Sequence, residues 1–132
     1  MQDRGCRIKK SYRDLEIFVL AKELGVMIHR LTLEELPRFE MYEEGSQIRR
    51  SSKSIVSNIA EGFGRRRYKN EFIQFLTYAI ASGDETKAHL EMLHETGSLK
   101  KEVFEDLLHR YEELCAKLFN FREAVIKGHR TS

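Results

Sequence analysis

The sequence predicts an all-α protein, an antiparallel up-and-down four-helix bundle. Three observations carry that reading. Apolar residues return at three- and four-residue spacing through four long segments, the period of a helix with one buried face. No segment shows the period-two alternation of a half-buried strand. The chain has one proline, Pro37, so little interrupts a long helix. Its 132 residues suit one domain that buries roughly two thirds of the surface its unfolded chain exposes.

The first helix is expected over residues 14–33, with Ile17, Ala21, Leu24, Ile28 and Leu31 on one stripe. Ser11 followed by Asp14 reads as its capping box, and Pro37 forbids its continuation. The second is expected over residues 41–61, with Ile48, Ser52, Ile55 and Ile59 inward and Val56 beside them. So many serines make a poor isolated helix, and close approach to a neighbour explains them better. Gly62 and Gly64 are expected to end it by supplying a left-handed conformation.

The third helix is expected over residues 69–96, its stripe running Phe72, Leu76, Ala79, Gly83, Thr86, Leu90 and Leu93. Gly97-Ser98 reads as a stop followed by a new N-cap. The fourth is expected over residues 99–127, with Phe104, Leu107, Tyr111, Leu114, Leu118, Phe121 and Val125 in line. Leu108, Cys115 and Phe119 widen that stripe, so this helix should touch more than one neighbour. The organisation is then a basic arm over residues 1–13, the bundle over 14–127 and a tail over 128–132.

Composition excludes several classes. At 41% apolar and 33% charged residues, the chain is too apolar for disorder and too charged for a membrane protein. Its opening, MQDRGCRIKK, has no apolar run and does not read as a secretory signal. Cys6 and Cys115 are too few for a disulfide framework, which points to a reduced cytoplasm.

The net charge of +2 hides a segregation. Residues 1–13 carry Arg4, Arg7, Lys9, Lys10 and Arg13 against Asp3 alone, a net +4. Residues 14–44 sum to −5, residues 45–70 to +6 and residues 84–113 to −5. The densest site is the turn Gly62-Phe63-Gly64-Arg65-Arg66-Arg67-Tyr68-Lys69-Asn70. Guanidinium groups bind phosphate through two parallel hydrogen bonds, and a helix starting there adds free amides. Arg65, Arg66, Arg67 and Lys69 are therefore the expected nucleic-acid contacts, with Arg49, Arg50 and Lys53 extending the charge along the second helix. The competing reading is a solvated turn whose arginines pair with Glu43, Glu44 or Glu71.

A polar column of Arg50, Ser54, Asn58 and Glu61 shares one face of the second helix and reads as an interhelix or subunit contact. No nucleophile–base pair accompanies it, so no catalytic residue, enzyme activity or cofactor is expected. Glu91 and His94 have the Glu-x-x-His spacing of a di-iron bundle, with a weaker echo at Asp106 and His109. The first two helices offer no glutamate on their apolar stripes, so no metal site is expected and Glu91 and His94 read as boundary polars. His89 should pair with Glu85 on the helix surface, while His29 and His129 have no evident partner. Cys115, in a leucine-rich stretch, reads as a small core residue. Apolar residues around most of the fourth helix, with Phe63 and Tyr68 at an otherwise wet turn, point to self-association.

Four stretches carry a resemblance. They are Tyr12-Arg13-Asp14-Leu15-Glu16, the run from Gln47 through Arg50 and Ser57-Asn58-Ile59-Ala60-Glu61-Gly62, Asn70-Glu71-Phe72-Ile73-Gln74-Phe75-Leu76, and Asp84-Glu85-Thr86 with His89-Leu90-Glu91. Over residues 12–127 the chain resembles the bacterial four-helix-bundle family first associated with intervening sequences in 23S ribosomal RNA genes. That fold includes the accessory protein of diversity-generating retroelements, which partners a reverse transcriptase. The resemblance implies a ring, a homopentamer, and binding to RNA or DNA. Its alternative implication is a protein-interaction adaptor, for example for a reverse transcriptase, with no nucleic-acid binding of its own. The family's ribosomal label reflects gene location. Where the family commonly has alanine after the arginine, this chain has Ser51-Ser52, expected to alter a subunit contact and not the fold.

Overall fold

Four helices follow one another through short connections, each antiparallel to the last. The computed structural model describes residues 11–128. Cys6, His129, Arg4, Arg7, Lys9 and Lys10 lie outside the described residues. A 3-10 turn over Tyr12–Asp14 precedes α1 (Glu16–Glu34), and a second, Arg38–Tyr42, leads into α2 (Glu44–Gly64). The last two helices are α3 (Lys69–Glu95) and α4 (Lys101–Ile126), and no strand occurs among the described residues. The α2–α3 interface is the broadest in the bundle, and the α1–α4 seam is the narrowest.

The predicted stripes form the core. All seven residues expected on the α3 stripe are buried, and so are all five on α1. On α4, Leu107, Tyr111, Leu114, Cys115, Leu118 and Val125 are buried, while Phe104 and Phe121 pack partly buried against them. Phe119 faces outward at 48% exposure, so it does not widen the inner stripe. Phe63 is also a core residue, only 6% exposed with its ring edge-on to Phe72, so it is not an exposed anchor for association.

The helix ends depart from the sequence reading. Ser11 and Asp14 do form a capping box, but it closes the 3-10 turn and not α1. The N-cap positions of the four α-helices are Leu15, Glu43, Tyr68 and Lys100, and none donates or accepts a side-chain capping bond. Gly97 terminates α3 with φ +86°, as expected, and the Ser98 amide bonds back to the Leu93 carbonyl at 2.9 Å. Ser98 is not an N-cap, however; its hydroxyl donates to Glu40 Oε2 at 2.6 Å. Glu40 is only 3% exposed and also accepts from the Gly45 amide at 3.2 Å, so one buried carboxylate joins the connection before α2 to the α3–α4 loop.

Gly62 and Gly64 correct another expectation, since both lie inside α2 and neither has positive φ. Gly62 is required by space: a Cβ there would sit 2.9 Å from the Phe75 Cβ, a backbone-anchored atom that cannot swing away. This is the close approach that the serine-rich α2 sequence suggested. Ser51 Oγ lies 2.8 Å from Thr86 Oγ1, and Ser54 Oγ lies 3.0 Å from Ser82 Oγ, both pairs bridging α2 to α3. A buried hydroxyl left unpaired costs ~1–3 kcal/mol, so mutual pairing lets small polar residues replace bulk at the seam. Ser51 therefore meets a residue of its own chain and not a subunit contact.

Candidate nucleic-acid interface

The α2–α3 turn is built by three successive backbone bonds. Arg65 N–H donates to the Gly62 carbonyl at 3.0 Å, Arg66 N–H to Phe63 at 3.1 Å and Tyr68 N–H to Arg65 at 2.8 Å. These bonds reverse the chain within four residues.

The three arginines are held differently. Arg65 lies between Glu61 at 2.9 Å and Glu71 at 3.0 Å, with its guanidinium 5.1 Å over the Phe75 ring. Hydrogen bonds to Glu71 and then Glu61 raise its pKa above the ordinary arginine value. The Glu71 pairing foreseen for a solvated turn therefore forms at this one arginine. Arg66 is half-buried, donates to the Phe63 carbonyl at 3.0 Å and lies 4.1 Å over the Phe63 ring. Arg67 is exposed with its guanidinium 6.0 Å from the Tyr68 ring centroid, and Lys69 is exposed beside it. Among the described residues, no carboxylate forms an ion pair with Arg66, Arg67 or Lys69.

Topology gathers further charge at this end. Because α1 runs antiparallel to α2, Arg13 enters beside the α2 C-terminus, and Lys127 leaves α4 at the same end. The opposite end carries Glu34, Glu35, Glu40, Glu43, Glu44 and Glu95 around the α1–α2 and α3–α4 connections. The same end also carries Arg38, Arg49, Arg50, Lys100 and Lys101, so its charge is mixed, while the α2–α3 end holds the densest run of arginines.

The supporting residues do not join the turn. Arg49 is half-buried near the start of α2, its Nη2 donating to the Met41 carbonyl at 2.6 Å, while its Nη1 is buried without a partner. Arg50 is exposed about 15 residues before Arg65, ~22 Å along the helix. Lys53 faces α1, where its Nζ donates to His29 Nδ1 at 3.1 Å, giving His29 a partner the sequence did not suggest. The polar column also divides. Ser54 bonds to α3 through Ser82, Asn58 turns back to the Ser54 carbonyl at 2.9 Å, and Glu61 belongs to Arg65.

Other candidate groups have structural partners. His94 Nδ1 donates to the Leu99 carbonyl at 3.2 Å, and its ring stacks on Phe104 with centroids 4.4 Å apart. Asp106 pairs with Arg110 at 3.0 Å. Among the described residues, no group of three or more His, Cys, Asp or Glu side chains is placed to hold a metal ion. His89 meets Glu85 as expected, at 3.3 Å, but its shorter contact is to Glu44 at 2.6 Å on α2. Cys115 is buried, and burial raises its thiol above the usual value. No described helix is long and apolar enough to cross a membrane.

The structural arrangement recurs elsewhere. The chain superposes with a TM-score of 0.72 on a crystal structure of a protein of unknown function from the S23 ribosomal protein family of Bacteroides thetaiotaomicron. The two are 24% identical, and the match covers 81% of this chain and 95% of the other, which establishes the shared fold. No curated protein matches the chain. The family model described as 23S rRNA-intervening sequence protein matches residues 13–120, nearly the whole bundle, and the chain therefore belongs to that family.

Proposed function

We propose that this protein is a non-enzymatic, self-associating helical scaffold that holds RNA or DNA by phosphate contacts at the α2–α3 turn. The observation that carries this reading is the trio Arg66, Arg67 and Lys69, clustered at one end of the bundle with no carboxylate partner among the described residues. Stacking of Arg66 on Phe63 and Arg67 near Tyr68 limits the freedom those side chains would lose on binding a phosphate. Arg65, already engaged by two glutamates, organises the turn. The contacts are to backbone phosphates, so binding is weakly sequence-specific.

The test is a titration of nuclease-treated protein against RNA, single-stranded DNA and duplex DNA over a range of salt. Removing two phosphate contacts by Arg67→Ala with Lys69→Ala should flatten the logarithmic salt slope by ~1.4 on single strands. Lys101→Ala, exposed at the far end of the bundle, should leave the slope unchanged. Equal slopes for all three proteins would refute the site. Absence of binding at low salt would favour the adaptor, with the free cations meeting an acidic protein partner such as a reverse transcriptase.

A further inference from the structure

The outer face of α3 is uncharged for three turns. From Phe72 to Gly83 the chain has no charged residue, in a sequence that is 33% charged, although Gln74, Thr77, Tyr78 and Ala81 are exposed there. The solvent face of a helix in so charged a chain would ordinarily carry ions. Aromatic rings stand on it instead. Tyr68, Phe75 and Tyr78 are seven and three residues apart, so they share one face of the helix over ~15 Å. Tyr68 is 58% exposed and Tyr78 44%, while Phe75 is half-buried. The Phe75 and Tyr78 rings meet edge to face with centroids 5.6 Å apart, and the Gln74 side-chain amide donates to the Tyr78 hydroxyl at 2.7 Å. These contacts hold the Tyr78 ring in place while leaving it open to solvent.

Cations border this row without interrupting it. At its start Arg67 and Lys69 flank Tyr68 in sequence, and neither forms an ion pair among the described residues. On the α2 side the Arg65 guanidinium lies 5.1 Å over Phe75. On the α4 side Arg122 donates to Thr77 Oγ1 at 3.1 Å and lies 5.3 Å over the exposed ring of Phe119. The acids at the turn end of the row, Glu61 and Glu71, both pair with Arg65.

We propose that this face receives the unpaired bases of a single-stranded nucleic acid, stacked on Tyr68 and Tyr78, while the phosphates follow Arg66, Arg67 and Lys69. The inference rests on the phosphate-binding reading above and names the strand class that the site takes. A single strand offers anions and neutral planar rings together, and the surface offers free cations beside open rings on an uncharged face. A duplex keeps its bases stacked inside and presents phosphates and groove edges, so it would engage the cations and leave the aromatic row unused. Stacking on tyrosine accepts every base, which agrees with weak sequence preference.

Fluorescence anisotropy of nuclease-treated protein with a labelled oligodeoxythymidine of about 20 nucleotides, and with a mixed-sequence duplex of the same length, tests the assignment. The single strand should bind more tightly than the duplex. Tyr68→Ala and Tyr78→Ala should each weaken single-strand binding by at least ~5-fold and leave duplex binding unchanged. The logarithmic salt slope should remain that of the natural chain, because no phosphate contact is removed. Tyr68→Phe and Tyr78→Phe keep the rings and should bind as the natural chain does. Both side chains are exposed, and circular dichroism of each variant verifies folding. Duplex binding as tight as single-strand binding overturns the stacking and leaves the phosphate reading standing. So do alanine variants that hold the single strand normally or lose both ligands equally, and phenylalanine variants as weak as the alanine ones. Absence of binding to either ligand at low salt overturns both readings and gives the face to a protein partner.

Discussion

Gly83 and Cys115 provide a sharp test of packing between α3 and α4. A Cβ built on Gly83 would lie 2.6 Å from Cys115 Sγ, about 1 Å inside ordinary contact, while its next neighbour, Ile55 Cδ1, is comfortable at 4.0 Å. Two terms then oppose each other in Gly83→Ala. Replacing a mid-helix glycine gains ~1 kcal/mol of helix propensity. Overpacking costs ~1–3 kcal/mol, whether the thiol leaves its rotamer or the helices separate. The natural background should therefore lose up to ~2 kcal/mol, the difference of those two terms. With Cys115→Ala the obstructing sulfur is gone, and Gly83→Ala should instead stabilise by ~1 kcal/mol. The propensity gain is common to both backgrounds and cancels in the double-mutant cycle, leaving a coupling of ~1–3 kcal/mol from the contact itself. Urea unfolding of the four proteins, followed by circular dichroism, measures each term. An effect of Gly83→Ala that is the same in both backgrounds would refute the argument.

Three further outcomes follow from the buried polar groups. Glu40→Ala removes the acceptor for Gly45 N–H and the Ser98 hydroxyl and should cost ~2–3 kcal/mol in urea unfolding, with Glu40→Gln costing less. Ser51→Ala should cost only ~1 kcal/mol by the same measurement, because Thr86 keeps its bond to the Ser82 carbonyl at 2.8 Å. Tyr111, wholly buried with its hydroxyl unpartnered, should gain ~1 kcal/mol as Tyr111→Phe near pH 7. Burial, and then the charge of Cys115, raises the Tyr111 phenol, while burial raises the Cys115 thiol. The unfolded chain ionises both first, so stability is full below their ordinary values of 9.0 and 10.0 and falls as pH rises past them. Tyr111→Phe should remove the part of that fall above pH 10, read from urea midpoints between pH 7 and 11; an unchanged profile would contradict the assignment.

The inward faces were legible because burial is periodic and composition reports it directly. Every residue expected on the α1 and α3 stripes is buried, and even Gly83 and Thr86 keep their places. The helix starts were misread because the usual capping signals are used for other purposes. Ser11 closes a 3-10 turn and Ser98 binds Glu40, while the true N-cap positions carry no capping side chain. The Gly62-x-Gly64 pattern suggests a conformational role, whereas the role of Gly62 is steric, a distinction that depends on Phe75 across the interface. At the basic turn the sequence located the charges but could not divide them. Which arginine meets Glu61 and Glu71 depends on the turn of the chain at residues 62–68, and local composition does not encode that. The pairing of His29 with Lys53 and of His89 with Glu44 likewise spans 24 and 45 residues, beyond any helical spacing.

The uneven breadth of the helix interfaces has a consequence for how the molecule opens. With no side-chain caps to hold their N-termini, the helices depend on packing against neighbours for their persistence. That support is greatest where α2 and α3 meet and least along the α1–α4 seam. The α2–α3 hairpin, joined by the hydroxyl pairs and by Gly62 against Phe75, then forms the slowest-exchanging unit of backbone amides. α1 can detach from α4 in a smaller excursion while that hairpin stays intact. The arginine turn is the tip of the most persistent part of the bundle, so partial opening elsewhere leaves its geometry in place.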